Sequence, residues 1–478
     1  MSNTKSLGVA LFFLHLVFPI FVCAQDKSEK ASGIYIDVGQ ASVKRSLLAL
    51  PAFQFFSSDK ANSKNVELGQ LLFNVTYNDL LVSNYFTFIR PEAFLEDTSK
   101  VGLKPAPGDP IGFNFQNWRT IGTEFLVRAG YKVNGDKLSL EIYVYHVPQT
   151  KLILGKVYEG PTSAARKIAH SFCNDLIKAL TGKRGIFLTR VVAAASESSS
   201  TIKEIYTMDW DGANLKKISQ HKSVAISPAW SPDGKKVAYT AFAYHPKAKT
   251  RNADMFMYEL DSAKRWLVSY RKGMNSGAAF MPSGDSILVT LSQSGSPDIF
   301  EMSLDGKSLR RITHGPNQAM NLEPTPSPDG SRIAFSSDRS GQPMIYVMNK
   351  DGSNVKRMTF AGRYNSSPSW SPDGKSIAFA GTDRIKTDPK HSFFDIFVVD
   401  VESKQLTRVT SATKPNGRAA SNEDPSFSPD GRHIMFVSDR TGKNQLYIAS
   451  PDGSNERRIT VDSRSYYKPK WSSLEIDQ

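Results

Sequence analysis

The sequence predicts an α/β amino-terminal domain followed by an all-β six-bladed β-propeller. Three observations carry this. Six copies of one plan, Pro-x-aromatic-Ser-Pro-Asp-Gly, fill the second half of the chain; their spacing matches one four-stranded blade; and the region before them has mixed helix and strand periodicity. At 478 residues the chain also exceeds what one hydrophobic core usually serves, so two domains are expected.

The repeats are anchored at Trp230, Phe280, Pro326, Trp370, Phe427 and Trp471, separated by 44 to 57 residues. Each reads as a short inner strand, then a Pro-Asp-Gly turn such as Pro372-Asp373-Gly374, in which Pro presets φ and Gly accepts positive φ. A second strand follows (236–239 in the first copy), then a third (395–399 in the fourth). An Asp-Gly hairpin then leads to an outer strand. The third anchor, Pro326, and the second turn, Met281-Pro282-Ser283-Gly284, depart from the plan. Asp209-Trp210-Asp211-Gly212 looks like the start of a calcium loop but lacks the later ligands and the closing glutamate, so it reads as a hairpin turn. Trp471 starts an inner strand with no partners after it. The missing partners are sought at 185–190, 204–208 and 215–219, so that one blade draws on both ends of the array and closes the ring. The propeller is therefore expected over 184–478.

Residues 25–183 form the first domain. Short strands are expected at 34–36 and 47–50, a helix over 66–82, and three strands over 124–133, 137–146 and 151–158. A last helix from about 163 to 181 ends at Gly182. In that helix Ala165, Ile168, Ala169, Phe172, Cys173, Leu176 and Leu180 share one face, which predicts a buried, inert Cys173.

The start of the chain reads as a signal peptide over 1–24: Lys5, an apolar stretch over 7–22, and small residues at the end of Val22-Cys23-Ala24. This predicts export to the periplasm, with Gln25 as the mature start and a polar, mobile tail over 25–32. Cleavage removes Cys23 and leaves Cys173 with no partner for a disulfide. Lys5 is the only charge of the leader, so the mature chain keeps nearly all of the formal +14. The cations are spread along the chain, and export separates them from cytoplasmic nucleic acid. An anionic envelope polymer or an acidic partner suits them better.

Catalytic signatures are lacking. There is no Gly-x-Ser-x-Gly elbow, phosphate loop or His-Glu-x-x-His, and the eight histidines are scattered. No catalytic residue, metal or cofactor is expected, and binding remains. The positions three before each anchor, Ser227, Gly277, Glu323, Ser367, Asp424 and Lys468, should form a ring on the loops at the propeller mouth. Met274, Asn275, Asn321, Leu322, Tyr364, Asn365, Glu423 and Tyr467 lie beside them, a mixture suited to a protein segment. Two other readings stay open. One is a propeller enzyme acting on cell-wall polysaccharide, with Glu323, Glu423 and Asp424 as acid and base if they face one another; the other is a glycan-binding protein.

The six repeats, the preceding α/β domain and Ile34-Tyr35-Ile36-Asp37 together resemble the TolB family of the Tol–Pal envelope system, whose propeller repeats are of the WD40-like PD40 type. The resemblance covers nearly all of the mature chain. It implies a non-enzymatic, monomeric periplasmic protein without cofactor or nucleic acid, serving outer-membrane integrity and constriction during cell division. It further implies binding of the peptidoglycan-associated lipoprotein Pal at the propeller mouth and of inner-membrane TolA through the tail, with other outer-membrane or peptidoglycan-associated proteins as further candidates. The implied Pal rim falls on Met274, Asn275, Gly277, Leu322 and Glu323, extended by Tyr364, Asn365, Glu423, Asp424 and Lys468. The implied TolA epitope is Gly33, Ile34, Tyr35, Ile36 and Asp37.

Overall fold

The computed structural model describes residues 45–56, 62–197, 200–245, 250–382 and 393–473. The expected leader, the tail epitope Gly33–Asp37 and the strand at 34–36 lie outside the described residues.

The first domain is built from β1 (Ser46–Ala49), β2 (Gln54–Phe55), α1 (Ser63–Val82), β3 (Phe86–Phe88), α2 (Phe115–Thr120), β4 (Phe125–Asn134), β5 (Lys137–His146), β6 (Lys151–Pro161) and α3 (Ala165–Thr181). The sheet order is β3-β1-β4-β5-β6, with β2 also on β4. Pairing is parallel on the β1 side and antiparallel through β4, β5 and β6. Local chemistry sets the helix ends. The Asn62 side chain accepts the Asn65 amide at 2.9 Å, and α3 stops at Gly182, whose φ of +73° suits a residue without Cβ. Gly69 brings α1 close to the sheet, since a Cβ there would lie 2.3 Å from the Tyr131 hydroxyl. Cys173 is fully buried, and burial pushes its thiol well above the ordinary value, as an inert core cysteine requires.

The propeller is six four-stranded sheets, each ordered from inner to outer strand. The inner strands are Ala225–Trp230, Asn275–Phe280, Asn321–Pro326, Asn365–Trp370, Asn422–Phe427 and Ser465–Trp471. Each anchor residue ends its strand, and the second and third blades keep the same geometry: Pro326 pairs with Ile333, and Gly284 donates to Met281 O at 2.8 Å. The aromatic anchors also join neighbouring blades. Trp230 Nε1 donates to Lys470 O at 3.0 Å, and Trp370 Nε1 to Thr325 O at 3.1 Å. The Ser-Pro-Asp-Gly turn is self-contained: Ser371 Oγ donates to Asp373 at 2.6 Å, while Asp373 and Ser371 accept the amides of Lys375 and Ser376.

Ring closure occurs as expected, with one correction. Ser465–Trp471 pairs with Arg190–Ser196, which continues to Glu204–Asp209 and Lys216–Lys217. The first partner strand is thus 190–196, and not 185–190. Ile186 and Phe187 look strand-like because they are apolar, yet they are buried toward the first domain. The Phe187 ring meets Trp210 at 5.8 Å and its amide donates to Asn174 Oδ1 at 3.1 Å. The small residues Ala193, Ala194 and Ala195 are buried within the sheet that follows.

The first domain docks on the lower face of the propeller, where the Pro-Asp-Gly turns lie. His433 Nε2 meets Val82 O at 3.0 Å, so that nitrogen carries the proton and donates. The Arg432 guanidinium lies 4.2 Å over the Tyr85 ring, and Arg45 donates to Asn455 Oδ1 at 2.6 Å. Core residues of α1, α3 and β4 run into those of the closing blade as one hydrophobic cluster. Beneath it, burial pushes the Asp79 carboxyl up to about 6, with the hydrogen bond to His170 acting against it. Among the described residues the upper face is left open.

Candidate functional site: the propeller mouth and channel

The six positions three before the anchors do form a ring, but inside the inner strands, and not on the loops before them. At each, the register to the next strand slips: between Ile226 and Ala229 in the first blade, and between Glu423 and Ser426 in the fifth. The bulged residue has positive φ every time: Ser227 (+53°), Gly277 (+65°), Glu323 (+53°), Ser367 (+53°), Asp424 (+56°) and Lys468 (+50°). A left-handed conformation costs a residue with a Cβ about 1–2 kcal/mol. Proline follows five of the six. Lacking an N–H, it loses no ladder donor at a bulge. The bulges line an axial cavity of about 380 Å³.

Within that cavity the charged members of the ring meet. Lys468 Nζ lies 2.6 Å from Glu323 and 2.7 Å from Asp424, and donates to Ser367 Oγ at 3.0 Å. The Ser367 amide donates to Glu323 at 2.6 Å, and its hydroxyl to Asp424 at 3.0 Å. Enclosure alone would raise both carboxyls, yet the Lys468 ammonium outweighs it and holds Glu323 and Asp424 below the ordinary carboxylate range. Enclosure alone would likewise lower Lys468, but Asp424 and Glu323 hold it well above the usual lysine value. The two carboxylates therefore face a shared cation and stay ionised. Glu423 stands apart, accepting from Ser421 Oγ at 2.7 Å, and burial pushes its carboxyl up.

The remaining rim residues divide sharply. Met274 and Tyr364 are open on the upper face, at 38% and 41% exposure; Leu322 is half-buried. Asn275, Asn321 and Asn365 do not belong to the rim. All three are buried, so their side chains present nothing to a partner. Asn275 Nδ2 donates to Ala253 O at 2.9 Å and Arg271 O at 2.6 Å; Asn365 Nδ2 donates to Thr359 Oγ1 at 2.9 Å. Asn321 and Asn422 occupy the same register and donate to Asp298 and Asp395, both at 3.0 Å. A signal for this was present: asparagine recurs five residues before the anchor in four of six repeats. A residue repeated in register serves the blade.

Among the described residues one group has the ligand atoms of a metal site, with His170, Asp209 and Asp211 within 4.8 Å of one another. Arg166 already donates to Asp211 there. Gly212 N donates to Asp209 O at 3.0 Å, the hairpin turn expected at that segment.

An α/β domain on the lower face of a six-bladed propeller closed by its last strand defines the class of protein. The family model described as the TolB beta propeller domain matches residues 177–388 and 385–476, and that of the TolB amino-terminal domain matches 34–153. The chain belongs to the TolB family. A relative from Anaeromyxobacter dehalogenans, a Tol-Pal system protein TolB, is 34% identical over 83% of this chain and 85% of its own. One from Desulfosudis oleivorans, with the same description, is 32% identical over 58% of this chain, and one from Syntrophotalea carbinolica is 34% identical over 35% of it. Those two matches span only 60% and 37% of the relatives' lengths. The crystal structure of TolB from Acinetobacter baumannii shares the fold, with a TM-score of 0.72 at 24% identity, covering 92% of this chain and all of that one. Among the described residues no helix is long and apolar enough to cross a membrane.

Proposed function

We propose that this chain is a non-enzymatic, periplasmic protein-binding component of a Tol–Pal system. Its upper mouth engages the lipoprotein Pal, its amino-terminal tail around Gly33–Asp37 engages TolA, and the two contacts support outer-membrane integrity and constriction at division. The observation that carries the reading is the pairing of an open mouth, edged by Met274 and Tyr364, with a channel whose acidic groups are already satisfied by Lys468. An acid–base pair for glycoside chemistry needs one carboxyl kept protonated facing a second; the shared ammonium opposes that in Glu323 and Asp424, and Glu423, whose carboxyl is raised, stands apart from them.

The test is binding of the purified soluble domain of Pal from the same envelope. Met274→Ala and Tyr364→Ala should each weaken it by about tenfold or more, as truncated interface anchors do, with thermal stability unchanged. Unchanged binding in both variants would remove the mouth from the interface. Deleting residues 25–37 should abolish TolA binding and spare Pal; loss of both would mean that the tail does not act separately.

A further inference from the structure

The two faces of the propeller differ in charge, and the cause lies in the turns. The inner-strand turns and outer hairpins all fall on the lower face, and both kinds are built on aspartate. Asp233, Asp329 and Asp373 accept backbone amides in the first kind, and Asp305, Asp351 and Asp452 in the second, at 2.9–3.1 Å. Lower-face lysines and arginines therefore sit among carboxylates in nearly every blade.

Among the described residues the upper face has two aspartate turns, at Asp338 and Asp439, and its carboxylates are used internally, Asp338 accepting the Met320 amide at 2.8 Å. Asp439 pairs with Lys414 at 2.6 Å, Asp462 and Glu197 with Arg464 at 2.9 and 3.1 Å, and buried Glu204 accepts the Lys222 amide at 2.7 Å. Lys222, Lys272, Arg363 and Arg418 are exposed in four of the upper connections, and none pairs with a described carboxylate. Between them stand exposed apolar side chains: Phe242 (40%), Tyr270 (68%), Met274 and Tyr364.

From this arrangement we infer that the mouth is selective for an acidic polypeptide segment, one whose Asp and Glu side chains flank an apolar anchor. The inference rests on the reading of the mouth as a protein-binding site and adds the chemistry of what binds. Cations without partners gain most from carboxylates brought by a ligand, and they raise the rate of encounter. The interleaved Phe, Tyr and Met supply the apolar contacts that hold a polypeptide after encounter. A bare polyanion would use the charges and leave these side chains exposed.

The test uses the full mature chain and a fluorescein-labelled peptide of about 20 residues, alternating Glu and Ala around a central Phe, a length matched to one side of an ordinary interface. Lys272→Glu, Arg363→Glu and Arg418→Glu are combined in one variant. Lys235→Glu, Lys350→Glu and Lys375→Glu, on the lower face, form a control of equal net charge. Upper-face reversal should weaken peptide binding by about tenfold or more, the lower-face control should stay within about twofold, and added salt should weaken the wild type. Replacing the central Phe by Ala should weaken it again. Equal loss in both variants, or in neither, would overturn the inference, as would displacement of the peptide by polygalacturonate at lower concentration than by unlabelled peptide. The Pal assay is read separately: an intact peptide site in a chain that fails to bind Pal would strike the proposed partner and leave the acidic selectivity standing.

Discussion

The lower face of the propeller repeats one solution five times, whereas the upper face repeats much less. Below, the first five inner strands turn through a short Pro-x-Gly motif, and the hydroxyl and carboxylate of the turn satisfy its own amides, as at Ser371 and Asp373. Above, the connections differ in length and composition, and side chains such as Met274, Tyr270 and Tyr364 face solvent. The bulge ring lies between and shares both characters. Its backbone is the same in all six blades, but the side chain at the bulge is Ser, Gly, Glu, Ser, Asp or Lys. Recurrence in register marks what the blade needs to fold, and departure from recurrence marks what this particular chain does with the fold.

Substitutions can break the contrast. Trp471→Ala should have the largest effect, because Trp471 is buried, donates from Nε1 to Thr189 Oγ1 at 2.7 Å and ends the strand that closes the ring. Loss of about 3–5 kcal/mol is expected in a urea titration, and a cost no greater than that of a surface substitution would contradict the role of closure. Lys468→Met should come next, at about 1–3 kcal/mol after allowance for the partial exposure of the channel. It leaves Glu323 and Asp424 facing each other with no shared cation. The pH dependence gives an independent reading. Both carboxyls are depressed in the folded state, so their contribution is present above the ordinary values of 4.5 and 3.8 and is lost as pH falls through the lower folded values. In Lys468→Met this acid loss should shrink, because burial is no longer opposed by the ammonium that depresses both carboxyls, and with Glu323→Gln and Asp424→Asn added the two positions should contribute none of it. An unchanged acid limb would show that the pairs contribute nothing.

Much of this fold was legible because the repeat carries its own turn chemistry. Pro-Asp-Gly specifies a turn whatever surrounds it, so blade number, inner-strand ends and the need for closure all followed from spacing. The strand at 190–196 was harder to see. Ile186 and Phe187 are the more strand-like residues, but their burial serves the junction of the two domains, at Asn174 and Trp210, which the local apolar pattern does not distinguish from a strand. The site was legible in part. Counting back from the anchors found the ring, yet nothing in a single repeat told that Lys468 would reach Glu323 from another blade. Asn275, Asn321 and Asn365 read as rim residues because they are polar and near it. Their shared register, repeated at Asn422, is the sign that they hold the inner strand in place.

Smaller effects sharpen the comparison. Asp373→Ala should cost about 1 kcal/mol, the worth of a turn cap, by thermal denaturation. Tyr364→Ala on the upper face should change stability by no more than about 0.5 kcal/mol while weakening Pal. A Tyr364 variant as costly as the Asp373 one would place the upper side chains among the structural residues.

The most direct measurement is site-specific photocrosslinking in the native envelope, with a photoreactive phenylalanine at Tyr364 on the upper face and, in a second chain, at Lys350 on the lower. The account predicts that the upper position yields a crosslink to the peptidoglycan-associated lipoprotein, identified by mass spectrometry, and that the lower position does not. The same lipoprotein captured from the lower face alone would contradict it.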